Sequence, residues 1–119
     1  MIKLDHFTIF VSNYAASREW YIANLGLRVA FDDTERGVSG LEDDAGVELI
    51  LVQRELPSRE RDCVLTFQCA SVEARFRELT ARGVTFAHGP QAVFWGYGAE
   101  LRDPDGYPAR LWDAATMPG

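Results

Sequence analysis

Cysteine, histidine and clustered positive charge are all scarce in this 119-residue chain, and each scarcity removes a class of function. The two cysteines, Cys63 and Cys69, lie on what reads as one strand, about 20 Å apart and too far to bridge. They read as buried thiols of a cytoplasmic protein, with no redox or nucleophilic role. Lys and Arg number 12 against 18 Asp and Glu, a formal net charge of −6. The arginines are spread over several segments and never form a basic run, which argues against nucleic acid as a partner, because phosphate binding needs clustered cations. A cationic or neutral small ligand is easier to accommodate. No apolar run is long enough to span a membrane, and Met1-Ile2-Lys3-Leu4-Asp5-His6 meets an acid and a histidine too early for a signal peptide.

What is present is a foldable chain, 47% hydrophobic and 12% aromatic. Ile2–Val11 alternates as a strand with two buried faces, one of them partly polar. Asn13 is an N-cap candidate for a helix Tyr14–Leu25, whose stripe Ala16, Trp20, Ala23 ends at Gly26. Strands are expected at Leu27–Phe31, Gly37–Glu42 and Val47–Val52, with a turn at Asp43–Gly46. After a polar connection containing Pro57 the pattern begins again. A strand Cys63–Cys69 precedes a helix capped by Ser71, with Val72, Phe76 and Leu79 as its stripe and Gly83 at its end. Strands at Val84–Ala87, Ala99–Arg102 and Tyr107–Trp112 follow, with a Gly-Pro loop after the first and a turn at Asp103–Gly106. The order is βαβββ written twice, and L-x-D-x-x-G recurs at Leu41–Gly46 and Leu101–Gly106. The boundaries are therefore module one 2–53, connection 54–61, module two 62–113 and tail 114–119. Each half is too small to bury its sheet alone.

Leu4-Asp5-His6-Phe7-Thr8, Trp20-Tyr21 leading to Leu25-Gly26-Leu27, and above all Arg102-Asp103-Pro104-Asp105-Gly106-Tyr107 resemble the vicinal oxygen chelate superfamily. That group contains glyoxalase I, the extradiol dioxygenases, and the bleomycin- and fosfomycin-resistance proteins. The resemblance runs from Ile2 to Trp112 and implies an α+β fold, two βαβββ modules whose paired curved mixed sheets form a cleft, usually in a homodimer. Metal-dependent members place His or Glu on the first and last strand of each module. By that comparison His6 matches a ligand histidine and Glu48 a ligand glutamate. No histidine stands near Val64, and Arg110 occupies the place of the second glutamate. A catalytic divalent site needs about three protein ligands, and an arginine repels a dication. No tightly held metal is therefore expected. The other histidine, His88, falls in a loop.

Strand alternation predicts the lining of the cleft: His6, Thr8, Phe10, Glu48, Ile50 and Val52 from module one, and Val64, Thr66, Gln68, Arg110 and Trp112 from module two. The segment Val93–Gly98 adds Phe94, Trp95 and Tyr97 between glycines, either as a lid or as core filling. The expected function is binding of a small organic ligand, cationic or aromatic, in the manner of the bleomycin-resistance proteins, in a cytoplasmic homodimer with no nucleic acid or membrane partner. Two other readings stand beside it. One is a glyoxalase-type lyase or dioxygenase using Ni, Zn, Mn or Fe on His6 and Glu48. The other is a non-catalytic dimerisation module. Three residues also carry alternatives of their own. His6 is either a core histidine or an acid–base partner of Glu48, and Arg110 either stabilises an oxyanion or forms an ion pair with Glu48.

Overall fold

The computed structural model describes residues 2–94 and 96–115 and divides into two compact units between Arg59 and Glu60. Unit 1 holds β1 (His6–Val11), α1 (Tyr14–Leu25), β2 (Arg28–Asp33), β3 (Val38–Glu42) and β4 (Glu48–Gln53). Unit 2 repeats the order with β5 (Leu65–Gln68), α2 (Val72–Ala81), β6 (Phe86–Val93), β7 (Gly96–Arg102) and β8 (Pro108–Trp112). Each unit forms a four-stranded mixed sheet, in the orders β1-β4-β3-β2 and β5-β8-β7-β6. The last strand of each unit runs parallel to the first, and the remaining pairs are antiparallel. This is the α+β class and repeat that the sequence pattern implied. No helix among the described residues is long and apolar enough to cross a membrane.

A helix packs on one side of each sheet, and the pleat sends alternate residues there. In unit 1, Ile9, Val11, Leu41, Leu49 and Leu51 are buried on that side. In unit 2, Ala99, Leu101, Ala109 and Leu111 take the same role beneath Val72 and Leu79 of α2. Both helices start on a side-chain cap: Asn13 accepts from the Ala16 amide at 3.0 Å, and Ser71 from the Ala74 amide at 3.1 Å. Asp113, 2% exposed, also accepts from the Val72 amide at 2.6 Å, tying the end of β8 to the start of α2.

Several local expectations are corrected. In α1 the buried stripe is Ser17, Tyr21 and Asn24, one position along from Ala16, Trp20 and Ala23. Composition misleads there, because the helix packs through small polar residues and one tyrosine, while Trp20 meets the Tyr21 ring edge-on at 4.9 Å. Instead of the full Ile2–Val11 span, β1 covers His6–Val11. Cys63 and Cys69 flank β5, free and half-buried.

The largest correction concerns 84–98. His88, Gly89 and Pro90, expected in a loop, belong to β6, and the proposed lid is a hairpin in which Val93 pairs with Gly96 and Ala92 with Tyr97. Register shifts around His88 absorb the Gly-Pro pair, and β6 is an edge strand, where proline is tolerated. Gly89 also has a packing reason, since a Cβ there would stand 3.3 Å from the Phe76 ring.

Candidate functional site

The side of each sheet away from its helix is open, and register decides what gathers on it. In unit 1, His6 of β1 stands opposite Glu48 of β4, Glu48 opposite Glu42 of β3, and Glu42 opposite Arg28 of β2. Residues in register point the same way, so this row is polar. The next row is Thr8, Ile50, Gly40 and Phe31, and the one after it holds Phe10, Val52 and Val38. A Cβ on Gly40 would lie 2.2 Å from the Phe31 ring, so the ring occupies the space over the glycine that a side chain would take. Phe10 carries the Arg54 guanidinium 4.1 Å over its own ring. Phe10 and Phe31 remain 39% and 42% exposed.

His6 is no core histidine: it is exposed, and its Nδ1 lies 2.9 Å from Asp5 Oδ2. Asp5, not Glu48, is its hydrogen-bonding carboxylate, and that bond lowers the Asp5 pKa from its ordinary value. Sequence reasoning missed Asp5 because it paired His6 across strands with Glu48, whereas the bond runs to the preceding residue.

In unit 2 a polar row is formed by Thr66, Arg110, Glu100 and His88, the counterpart, counted from the repeated turn, of the Thr8, Ile50 and Gly40 row of unit 1. Arg110 donates through Nε to Glu100 Oε1 at 2.9 Å, and Arg102 reaches Glu100 Oε2 at 3.0 Å. The partner found for Arg110 is thus Glu100 of its own sheet, whereas the sequence suggested Glu48. Glu100 was legible in principle. A hairpin centred on the Asp103–Gly106 turn places Leu101 against Ala109 and therefore Glu100 against Arg110. Gln68 pairs in register with Trp112 on the same open side.

Phe94, in the turn between β6 and β7, is 93% exposed, with the Arg110 guanidinium 5.7 Å from its ring centroid. Tyr97 faces the other way, donating its hydroxyl to Glu73 of α2, so it belongs to the helix side. That bond to a carboxylate raises the Tyr97 pKa. Val64 precedes β5 and is 42% exposed. Trp95 lies outside the described residues.

Two adjacent donors, His6 and Glu48, are present in unit 1, and the polar row of unit 2 places Glu100 and His88 beside Arg110. Among the described residues no three His, Cys, Asp or Glu side chains gather where they could hold a metal ion. A catalytic divalent site needs about three such donors, and His6 and Glu48 supply two in unit 1.

Doubled βαβββ units with one helix-covered and one open sheet side define a structural class, and the sequence places the chain within it. Residues 3–111 match the Glyoxalase/Bleomycin resistance protein/Dioxygenase superfamily, and the chain belongs to that family. Among solved structures it is similar to TnmS3, an antibiotic binding protein from Streptomyces sp. CB03234, with a TM-score of 0.77 and 24% identity over 95% of this chain and 96% of that one. A superfamily member from Sphaerobacter thermophilus DSM 20745 superposes with a TM-score of 0.78 and 21% identity over 95% and 98% of the two chains. A possible glyoxalase from Bacillus cereus gives 0.77 and 18% over 93% and 98%. At such identities the likeness is one of fold. No curated protein matches the chain.

Proposed function

We propose that the protein binds a small planar organic molecule on its open sheet faces, without a tightly held metal. The observation that carries this reading is the aromatic surface exposed there: Phe31, and in part Phe10, in unit 1 and Phe94 in unit 2, set beside a few fixed polar groups. Aromatic floors with sparse polar handles are the usual make-up of a small-molecule site. The likeness to an antibiotic binding protein supports a binding role, and Arg110 at the position of a second ligand glutamate supports the metal-free part.

Thermal shift across a panel of planar organic molecules tests the reading, because a ligand that binds only the native state raises its stability. Shifts that vanish in Phe31→Ala or Phe94→Ala are expected, and a panel without any shift refutes it. One observation favours a second reading, a metal-dependent lyase or dioxygenase: His6 and Glu48 are direct register neighbours. Stoichiometric Ni, Zn, Mn or Fe in purified protein, lost in His6→Ala, would establish that alternative in place of ours.

A further inference from the structure

The open face of unit 2 has a charge opposite to that of the chain. Two guanidinium groups, those of Arg110 and Arg102, divide the oxygens of one carboxylate, Glu100. The cluster therefore carries one net positive charge; the side chains of Glu100 and Arg110 are 11% and 23% exposed, while that of Arg102 is 43% exposed. A partly desolvated net charge is costly unless a counter-charge approaches it. Four of the other acids of unit 2 are held elsewhere: Asp103 is bound up in its turn, Asp113 caps α2, Glu73 holds Tyr97 and Glu78 pairs with Arg75. His88, the register neighbour of Glu100 on the far side, approaches the Gly89 carbonyl through Nδ1 at 2.9 Å, and a carbonyl only accepts. That nitrogen carries its proton and brings no negative charge to the face.

The second feature is geometric. The Phe94 ring stands over the Arg110 guanidinium with nearly all its surface exposed. Arginine presents a planar fork suited to carboxylate oxygens, and a ring beside it offers a stacking plane for the body of the same molecule.

From these we infer that unit 2 takes a planar organic anion, an aromatic carboxylate in chemical class, with Arg110 and Arg102 meeting the negative group and Phe94 stacking on the ring. Glu100 is a positioning residue that holds the two arginines and tempers their charge. The inference rests on the small-molecule reading above and adds the sign of the ligand's charge, which the acidic composition of the chain had pointed the other way.

The test uses the full chain and three probes with one ring system: naphthoate, its neutral amide, and naphthylmethylammonium, titrated calorimetrically at low salt. Naphthoate is expected to bind at least about tenfold more tightly than the amide, the worth of a charge-assisted contact, with the ammonium weakest. Arg110→Gln should remove that preference, and Arg110→Lys, which keeps the charge but loses the fork, should restore part of it. Glu100→Gln should tighten naphthoate and steepen its dependence on salt. The opposite signs at the two ends of one ion pair separate a ligand-reading role from a structural one, since a purely structural pair would weaken binding from either side. Equal affinity for all three probes overturns the charge assignment and leaves the small-molecule reading intact. Absence of binding by every probe overturns both.

Discussion

Asp43 and Asp103 perform one task in two environments, and the difference can be measured. Each ends a strand and accepts through Oδ1 from the amides two and four residues on. For Asp103 these are Asp105 and Tyr107, both at 2.9 Å; for Asp43 they are Ala45 at 2.9 Å and Val47 at 3.0 Å. The turns close alike, with Gly46 and Gly106 at φ 89° and 88°, the left-handed region that glycine enters without strain. Burial is what differs. Asp103 is 5% exposed and the Tyr107 that follows 7%, whereas the Asp43 turn is largely open to water. Asp43→Ala lets water take over the amides and should cost about 1 kcal/mol. Asp103→Ala strands a buried amide and removes two bonds to a charged acceptor, about 3 kcal/mol once the two are not counted as additive. With a urea slope of about 1–1.5 kcal/mol/M, the midpoints of the two alanine variants should differ by roughly 1.3–2 M. Asp103→Asn keeps an acceptor without the charge and should recover about half of the loss. Urea titrations followed through amide resonances of each unit give the numbers. Equal midpoints for the two alanine variants, or a larger loss at Asp43, would refute the claim that burial sets the value of this turn.

Other outcomes follow from the same geometry. Gly40→Ala drives a methyl group into the Phe31 ring, so it should destabilise unit 1 by about 1–3 kcal/mol and abolish any thermal shift that depends on Phe31; a fully stable variant with ligand response intact would show that the ring does not rest there. Leu111, 2% exposed, should cost about 2–5 kcal/mol when cut to alanine, read as the loss of midpoint in unit 2. Burial raises the Cys63 and Cys69 thiols above their ordinary value of 9.0 and the Tyr107 phenol above 10.0. The folded state thus favours their protonated forms: the stability they lend is complete below the unfolded values and is lost as pH rises through the raised ones. Unit 2 should hold a flat urea midpoint through neutrality and lose stability above about pH 9, and a midpoint that climbs there would contradict the sign.

The repeat was legible because its punctuation is local. Asn13, Ser71, Gly26 and the two L-x-D-x-x-G turns announce ends of elements through short-range bonds that any chain can reveal. The buried face of α1 was not legible, since Ser17 and Asn24 are chosen by what they pack against and carry no apolar signal. The strand β6 was hidden for a similar reason: Gly89 and Pro90 read as a break, yet an edge strand with shifted register accommodates both. At the site, alternation correctly brought His6, Thr8, Phe10, Glu48 and Ile50 to one side of a sheet. It misassigned Tyr97 because a strand was taken for a loop, and without a strand there is no alternation to count.

The charge of the chain and the charge of its open faces obey different rules, and this decides how the site is to be read. A net charge of −6 sums groups whose positions are set by the backbone: Asp43 and Asp103 close turns, Asp113 caps a helix, and Asp32 is held by Ser39 at 2.6 Å and Arg18 at 3.2 Å. Those carboxylates already have amide, hydroxyl or guanidinium partners, so they add to the far field and little to recognition. On the open side of unit 2 the order reverses, with two arginines to one glutamate. A ligand approaching from a distance meets an acidic protein, screened beyond about 8–10 Å at physiological salt, and only at contact meets a cationic face. Binding of an anion there should therefore be slow to associate and strengthen in on-rate as salt rises, while its off-rate, set by the guanidinium contacts, increases. Stopped-flow with naphthoate at two salt concentrations separates the two, and an on-rate that falls with salt would mean that the local cluster, not the acidic surround, governs the encounter.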